Sequence, residues 1–169
     1  MLRAAAPEDL QALLDLAVSS TLFLPDETPS LRPVFEDVLT GRLGEHHRMA
    51  LWSDPPGTGP AGAVYFALND MAYRTWDLLW ISVSLSHQGQ GVGSQLIHFA
   101  EAQVAAAGGR MIVIDTSSKL KFDATHAFYR QRGYTEVARI PDFYADGDSK
   151  VIFAKRLTQR ASGRPEKQL

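Results

Sequence analysis

Apolar residues along this chain switch repeatedly between helical and strand spacing, and the switches lay out an ordered set of elements. A short strand is expected from Met1 to about Ala5. Pro7, Glu8 and Asp9 suit the first turn of a helix, and Leu10, Leu13, Leu14, Ala17 and Val18 recur at helical spacing to about Ser20. Residues 21–30, with Pro25 and Pro29, read as a loop, and a second helix over 31–40 stops at Gly41. Residues 49–53 and 61–68 read as strands separated by a turn rich in proline and glycine. From Thr75 to Leu85 the pattern alternates: Leu79, Ile81, Val83 and Leu85 against Trp80, Ser82 and Ser84, which predicts a long strand. The next helix carries Leu96, Ala100, Gln103, Val104 and Ala107 on one face and ends at Gly108 and Gly109. Met111, Ile112, Val113 and Ile114 are apolar on both faces, as in a buried parallel strand. Asp123 is placed to cap a helix over 124–132 that Gly133 stops. Residues 134–140 and 150–157 read as a final strand pair around a polar loop, 141–149. The polar residues 158–169 read as a disordered tail beyond a single domain, 1–157. This order predicts a mixed α/β sheet flanked by helices.

The junction between the long strand and its helix is the most informative segment: Gln88-Gly89-Gln90-Gly91-Val92-Gly93-Ser94. Glycines at alternate positions leave backbone N–H groups unshielded. The helix that follows adds its unsatisfied donors and the positive end of its dipole. Together they form a cradle for a phosphate or diphosphate. A nucleoside-triphosphate loop would place Lys and Ser or Thr after its last glycine, and Ser94-Gln95 does not. A dinucleotide fold fits better, with Asp115 as the ribose-binding acid. Against it, the motif begins past the middle of the chain, which leaves little room for a doubly wound sheet.

Bulk composition changes this picture little. The sequence has 169 residues, 17 Lys and Arg against 19 Asp and Glu, a net charge of −2 and no cysteine. No basic field points to nucleic acid or an anionic membrane. The absence of cysteine removes disulfides, thiolate catalysis and cysteine–metal sites, and fits a reducing compartment. With no signal-type or membrane-spanning apolar run, a cytoplasmic location is the default. The histidines show no spacing for a metal site, so none is expected.

The glycine turn resembles the Gln/Arg-x-x-Gly-x-Gly/Ala turn of the GNAT acetyltransferase superfamily. A second segment, Thr125-His126-Ala127-Phe128-Tyr129-Arg130-Gln131-Arg132-Gly133-Tyr134, resembles that family's Ala-x-x-Phe-Tyr-x-x-x-Gly-Phe helix-to-strand motif. Arg3-Ala4-Ala5-Ala6-Pro7-Glu8-Asp9-Leu10 is similar to its opening strand and helix. The resemblance spans residues 1 to about 157, with departures at Leu85, Phe122 and Thr125, where the family often has Pro, Asn and Ala.

The resemblance implies the GNAT acyltransferase fold, acetyl-CoA as cofactor, and transfer of an acetyl group to an amine of a small molecule, amino acid or peptide. It implies that Gln88, Gly89, Gln90, Gly91, Val92, Gly93 and Ser94 hold the diphosphate through backbone amides, the Gln88 and Gln90 side chains being solvated. Ile81, Ser82 and Val83 then pair with the pantetheine arm beside a strand bulge, and Phe128 lies against the cofactor. Tyr129 matches the general acid. A phenol with a pKa of about 10 can protonate a thiolate whose conjugate acid sits at about 8.5, given solvent exclusion. Asp115 is the first candidate for the base and Asp77 the second. Tyr144, Asp142, Phe23 and Glu27 are candidate walls of the acceptor pocket, the acidic ones suited to a cationic amine. A homodimer is compatible with the family. The alternative reading from another class is a non-catalytic acyl-CoA-binding module.

Overall fold

The computed structural model describes residues 1–20, 28–55, 57 and 59–157. In chain order it forms β1 (Leu2–Ala4), a short turn running into α1 (Leu10–Ser19), α2 (Thr28–Leu39), β2 (His47–Trp52) and β3 (Gly62–Leu68). There follow β4 (Thr75–Val83), α3 (Val92–Ala106), β5 (Met111–Ser117), α4 (Asp123–Gln131), β6 (Thr135–Ala145) and β7 (Asp148–Arg156). The seven strands make one sheet in the order β1-β2-β3-β4-β5-β7-β6. Only β4 and β5 are parallel; every other neighbouring pair is antiparallel. A doubly wound dinucleotide sheet is thereby excluded.

Each face of the sheet has its own core. Alternation along β2 and β3 sends Ala50, Val64 and Phe66 to one face, where they meet Leu96, Ile97 and Ala100 of α3, Tyr129 of α4, and Ile112, Ile114 and Phe153. Met49, Leu51, Ala63 and Tyr65 go to the other, against Leu13, Leu14 and Ala17 of α1 and Phe35 of α2. Asp9 anchors the start of α1. It accepts the Ala6 N–H at 2.8 Å and both Arg3 nitrogens at 2.7 Å, and this pairing holds its carboxyl below the usual range.

Several elements differ from the sequence reading. The second helix begins at Thr28, three residues before the expected start. Pro29 falls in its first turn, where an N–H would be unbonded anyway, and Pro33 costs only the bond to the carbonyl of residue 29. Asp123 is the first helical residue of α4, not its cap, and the preceding Phe122 makes no side-chain cap bond. The loop expected at 141–149 is mostly strand. Ala145 pairs with Asp148, so Asp146 and Gly147 (φ +76°) alone make the hairpin turn. The alternation along β4 also breaks. A register shift leaves Leu79 as an extra residue, 52% exposed, between Leu78, paired with Phe66, and Trp80, paired with Tyr65. Leu78 and Ile81 therefore pack on the α3 face while Trp80 is buried under α2, 4.9 Å from Phe35 between ring centres. The expected tail, 158–169, lies outside the described residues, as do Phe23 and Glu27.

Candidate active site

The site begins where the sheet comes apart. β4 and β5 pair at Thr75–Met111, Trp76–Ile112 and Asp77–Val113, and no further. Beyond that point β4 runs on beside β3 alone, and β5 beside β7 alone. The two strands diverge around a cleft. The Ser84 N–H bonds to the Ala61 carbonyl of the β3 side at 2.9 Å. By antiparallel alternation Ser82 also turns its backbone groups to β3, while Ile81 and Val83 turn theirs into the cleft.

The glycine turn closes one end of this cleft. Gly89 and Gly91 have φ of +74° and +83°, which L side chains adopt only under strain, and Gly91 is the residue that starts α3. A Cβ at either would meet nothing within 4 Å, so both backbones face open space that a ligand can approach. A Cβ at Gly93 would stand 3.4 Å from the Phe128 ring, in ordinary contact, so α4 packs directly over the turn. The Gln88 and Gln90 side chains are not simply solvated. Their amides donate to the Val83 carbonyl at 3.3 Å and the Ser86 carbonyl at 2.8 Å, bracing the turn. Open donors on a helix N-terminus, glycines without steric cover and an unpaired strand edge fit a diphosphate on a long amide-bearing arm.

Tyr129 lies on the α4 face that packs into the main core, 4% exposed, among Phe128, Tyr134 and Phe153. Burial pushes its phenol well above the ordinary value. Its hydroxyl makes no hydrogen bond among the described residues.

The opposite face of the cleft carries the charges. Asp77 stands at the last parallel pair, accepts from Asn69 Nδ2 at 2.8 Å, and is half-buried. Desolvation raises its carboxyl above the usual range; the Asp115 charge raises it further and the Lys150 ammonium works against that. Lys150 forms an ion pair with Asp115 and lies 4.7 Å from the centre of the Phe143 ring. Tyr144, half-exposed, senses the same charges, and burial raises its phenol. Asp142 takes a φ of +50° and accepts the Gly147 N–H at 2.8 Å, so one of its oxygens closes the hairpin turn. Sequence reasoning placed Asp77, Asp115 and Tyr144 near the acceptor but missed Lys150. Its signal was the strand register, which sets Lys150 opposite Ser117, two residues along β5 from Asp115.

Comparison with known proteins agrees with this geometry. The profile of the GNAT acetyltransferase domain matches residues 51–136, half of the chain. A GNAT-family protein from Desulfovibrio desulfuricans superimposes with a TM-score of 0.85 at 24% identity, covering 94% of this chain and 99% of its own. The ribosomal-protein-S18-alanine N-acetyltransferase of Escherichia coli gives 0.77 at 15% identity, over 98% of this chain and 99% of that one. An aminoglycoside 6′-N-acetyltransferase complexed with coenzyme A gives 0.72 at 17% identity, again over 98% and 99%. At these identities the structures speak for the fold alone. No curated protein sequence matches the chain. Among the described residues no helix is long and apolar enough to cross a membrane. The matched profile, with its glycine turn and diverging strands in place, makes the chain a member of the GNAT acetyltransferase family, an enzyme whose cofactor is acetyl-CoA.

Proposed function

We propose that this enzyme moves the acetyl group to a primary amine of a small molecule, amino acid or peptide, by direct attack of the amine. The observation that carries the reading is the two-sided cleft: backbone donors at the glycine turn and, on the opposite sheet face, the group formed by Asp77, Asp115, Lys150 and Tyr144. Bound acetyl-CoA supplies an activated thioester. The amides of residues 88–94 would hold its diphosphate, Ile81 and Val83 would pair with the pantetheine amides, and Phe128 would cover the arm. The Ile81 N–H is the cleft-facing donor available to the thioester oxygen.

Tyr129 holds its proton throughout the working pH range, because burial raises its phenol, and Oη is the donor we assign to the departing sulfur. Asp77 and Asp115 draw a cationic amine to the cleft. Lys150 occupies Asp115, so Asp77 is the better placed of the two to take the amine proton. Tyr144 walls the acceptor side, with Asp142 setting the turn behind it. The names of two structural neighbours give an alanine of a ribosomal protein and an aminoglycoside as acceptors, and an amine of either kind is cationic when protonated. The test is release of free CoA from acetyl-CoA against amines, amino acids, polyamines, aminoglycosides and peptides. Turnover confined to cationic amines is expected. Turnover only with neutral or anionic acceptors would overturn the role given to the acidic group.

A further inference from the structure

Arg132 ends α4 one residue before the motif glycine, and its side chain reaches across to the first turn of α3. Nε lies 3.1 Å from Ser94 Oγ, Nη2 bonds the same oxygen, and the guanidinium sits over the Phe128 ring at 5.4 Å. Ser94 follows the glycine turn directly. Its oxygen accepts from Arg132, which leaves its O–H free to donate.

The neighbouring Arg130 pairs with Glu136 at 3.0 Å, a carboxylate it shares with Arg139. Arg132 is half-buried and has no carboxylate partner among the described residues. A partly desolvated cation without a counter-charge is costly unless an anion completes it. Its backbone is fixed as well. Lys155 Nζ donates to the Arg132 carbonyl at 2.8 Å and is itself tied to Glu101 at 2.8 Å. A planar guanidinium is thus held, before any ligand arrives, beside the open N–H groups of the α3 N-terminus. That is the geometry in which Arg recognises phosphate through two parallel bonds.

We infer that Arg132, oriented by Ser94, is a ligand of the coenzyme A diphosphate. The inference rests on acetyl-CoA binding at residues 88–94. Backbone amides supply partial charges at that turn, and Arg132 adds the one full positive charge the turn itself lacks.

The test measures calorimetric affinities of CoA and 3′-dephospho-CoA for the wild type, R132Q, R132K and S94A, with melting temperatures of the ligand-free proteins. R132Q should weaken both ligands by the same factor, about tenfold. R132K should restore part of the loss, and S94A should lose less than R132Q. Equal affinities in R132Q and wild type would overturn the inference and leave Arg132 as a clasp between α3 and α4, whether or not the melting temperature falls. A loss seen with CoA but not with dephospho-CoA would move Arg132 to the 3′-phosphate and overturn the diphosphate assignment. If R132Q does not fold, R132K and S94A carry the same reading: both keep a positive charge, one without the planar fork and the other without its support, and wild-type CoA affinity in both would overturn the inference. A wild type that binds neither ligand would instead defeat the cofactor site itself.

Discussion

The two sides of the cleft are built from different materials. On the proposed reading the cofactor side is mainly backbone, three glycines, a helix start and a strand edge within residues 81–94, with the Arg132 side chain added to it. The proposed acceptor side is side chain: Asp77, Asp115, Tyr144 and Lys150, drawn from β4, β5, β6 and β7. A backbone site is set by conformation and is shared wherever the conformation recurs. A side-chain site is set by identity and can change without disturbing the fold. The profile match, residues 51–136, takes in the whole glycine turn but only Asp77 and Asp115 of the acidic group, and it ends at the start of β6, ahead of Tyr144 and Lys150.

The division can be broken by experiment. Tyr129→Phe should give the largest effect, a loss of about 10³ in kcat, with CoA affinity unchanged. Because burial raises the phenol, any alkaline limb from Tyr129 should lie above pH 10. Weakened CoA binding with intact kcat would assign Tyr129 to packing on the cofactor side.

Asp77→Asn should cost about 10² in kcat/KM and act only on the acceptor side. A base must be ionised, and burial raises Asp77, so wild-type activity should climb with pH through a carboxyl lying above the usual range. That limb should vanish in the Asn variant. In Lys150→Met it should move to still higher pH, because the ammonium normally lowers Asp77. An unshifted limb in Lys150→Met would mean that another group titrates there.

Gly91→Val should weaken acetyl-CoA by roughly tenfold, the 1–2 kcal/mol cost of an L side chain at φ +83°, and leave the acceptor KM alone. A raised acceptor KM would show that the two sides are not separable. The smallest effect is a control outside both. Asp9→Asn should lower stability by about 1 kcal/mol without touching kcat or CoA affinity. Its sign follows from the depressed folded pKa. The Arg3–Asp9 contribution is fully present above the unfolded carboxylate value of about 3.9 and is lost as pH falls through the lower folded value. A variant whose melting temperature tracks wild type at pH 7 would remove Asp9 as an anchor of α1.

The same division decided what could be read from the sequence. Gly89, Gly91 and Gly93 are contiguous, and the conformations they permit are local, so the turn and its helix were legible. The acceptor side depends on register. Lys150 meets Asp115 only because β7 inserts between β5 and β6, which no local pattern reveals. The bulge at Leu79 hid for a related reason. The residues from Leu79 to Leu85 alternate cleanly, and only packing on both faces shows that Leu78 and Ile81, three apart, point the same way. Proline misled once, at Pro29, because the first turn of a helix does not need the N–H that proline lacks.

The short parallel seam has a mechanical consequence. Three residue pairs, with the Arg110 N–H to Arg74 carbonyl bond just before them, join the β1–β4 blade to the β5–β7 blade. Any extended chain lying between Ile81–Val83 and β5 acts as a stitch between the blades. Cofactor binding should therefore slow amide exchange at Ile81 and Val83 more than at Ser82, and make two half-sheets unfold as one.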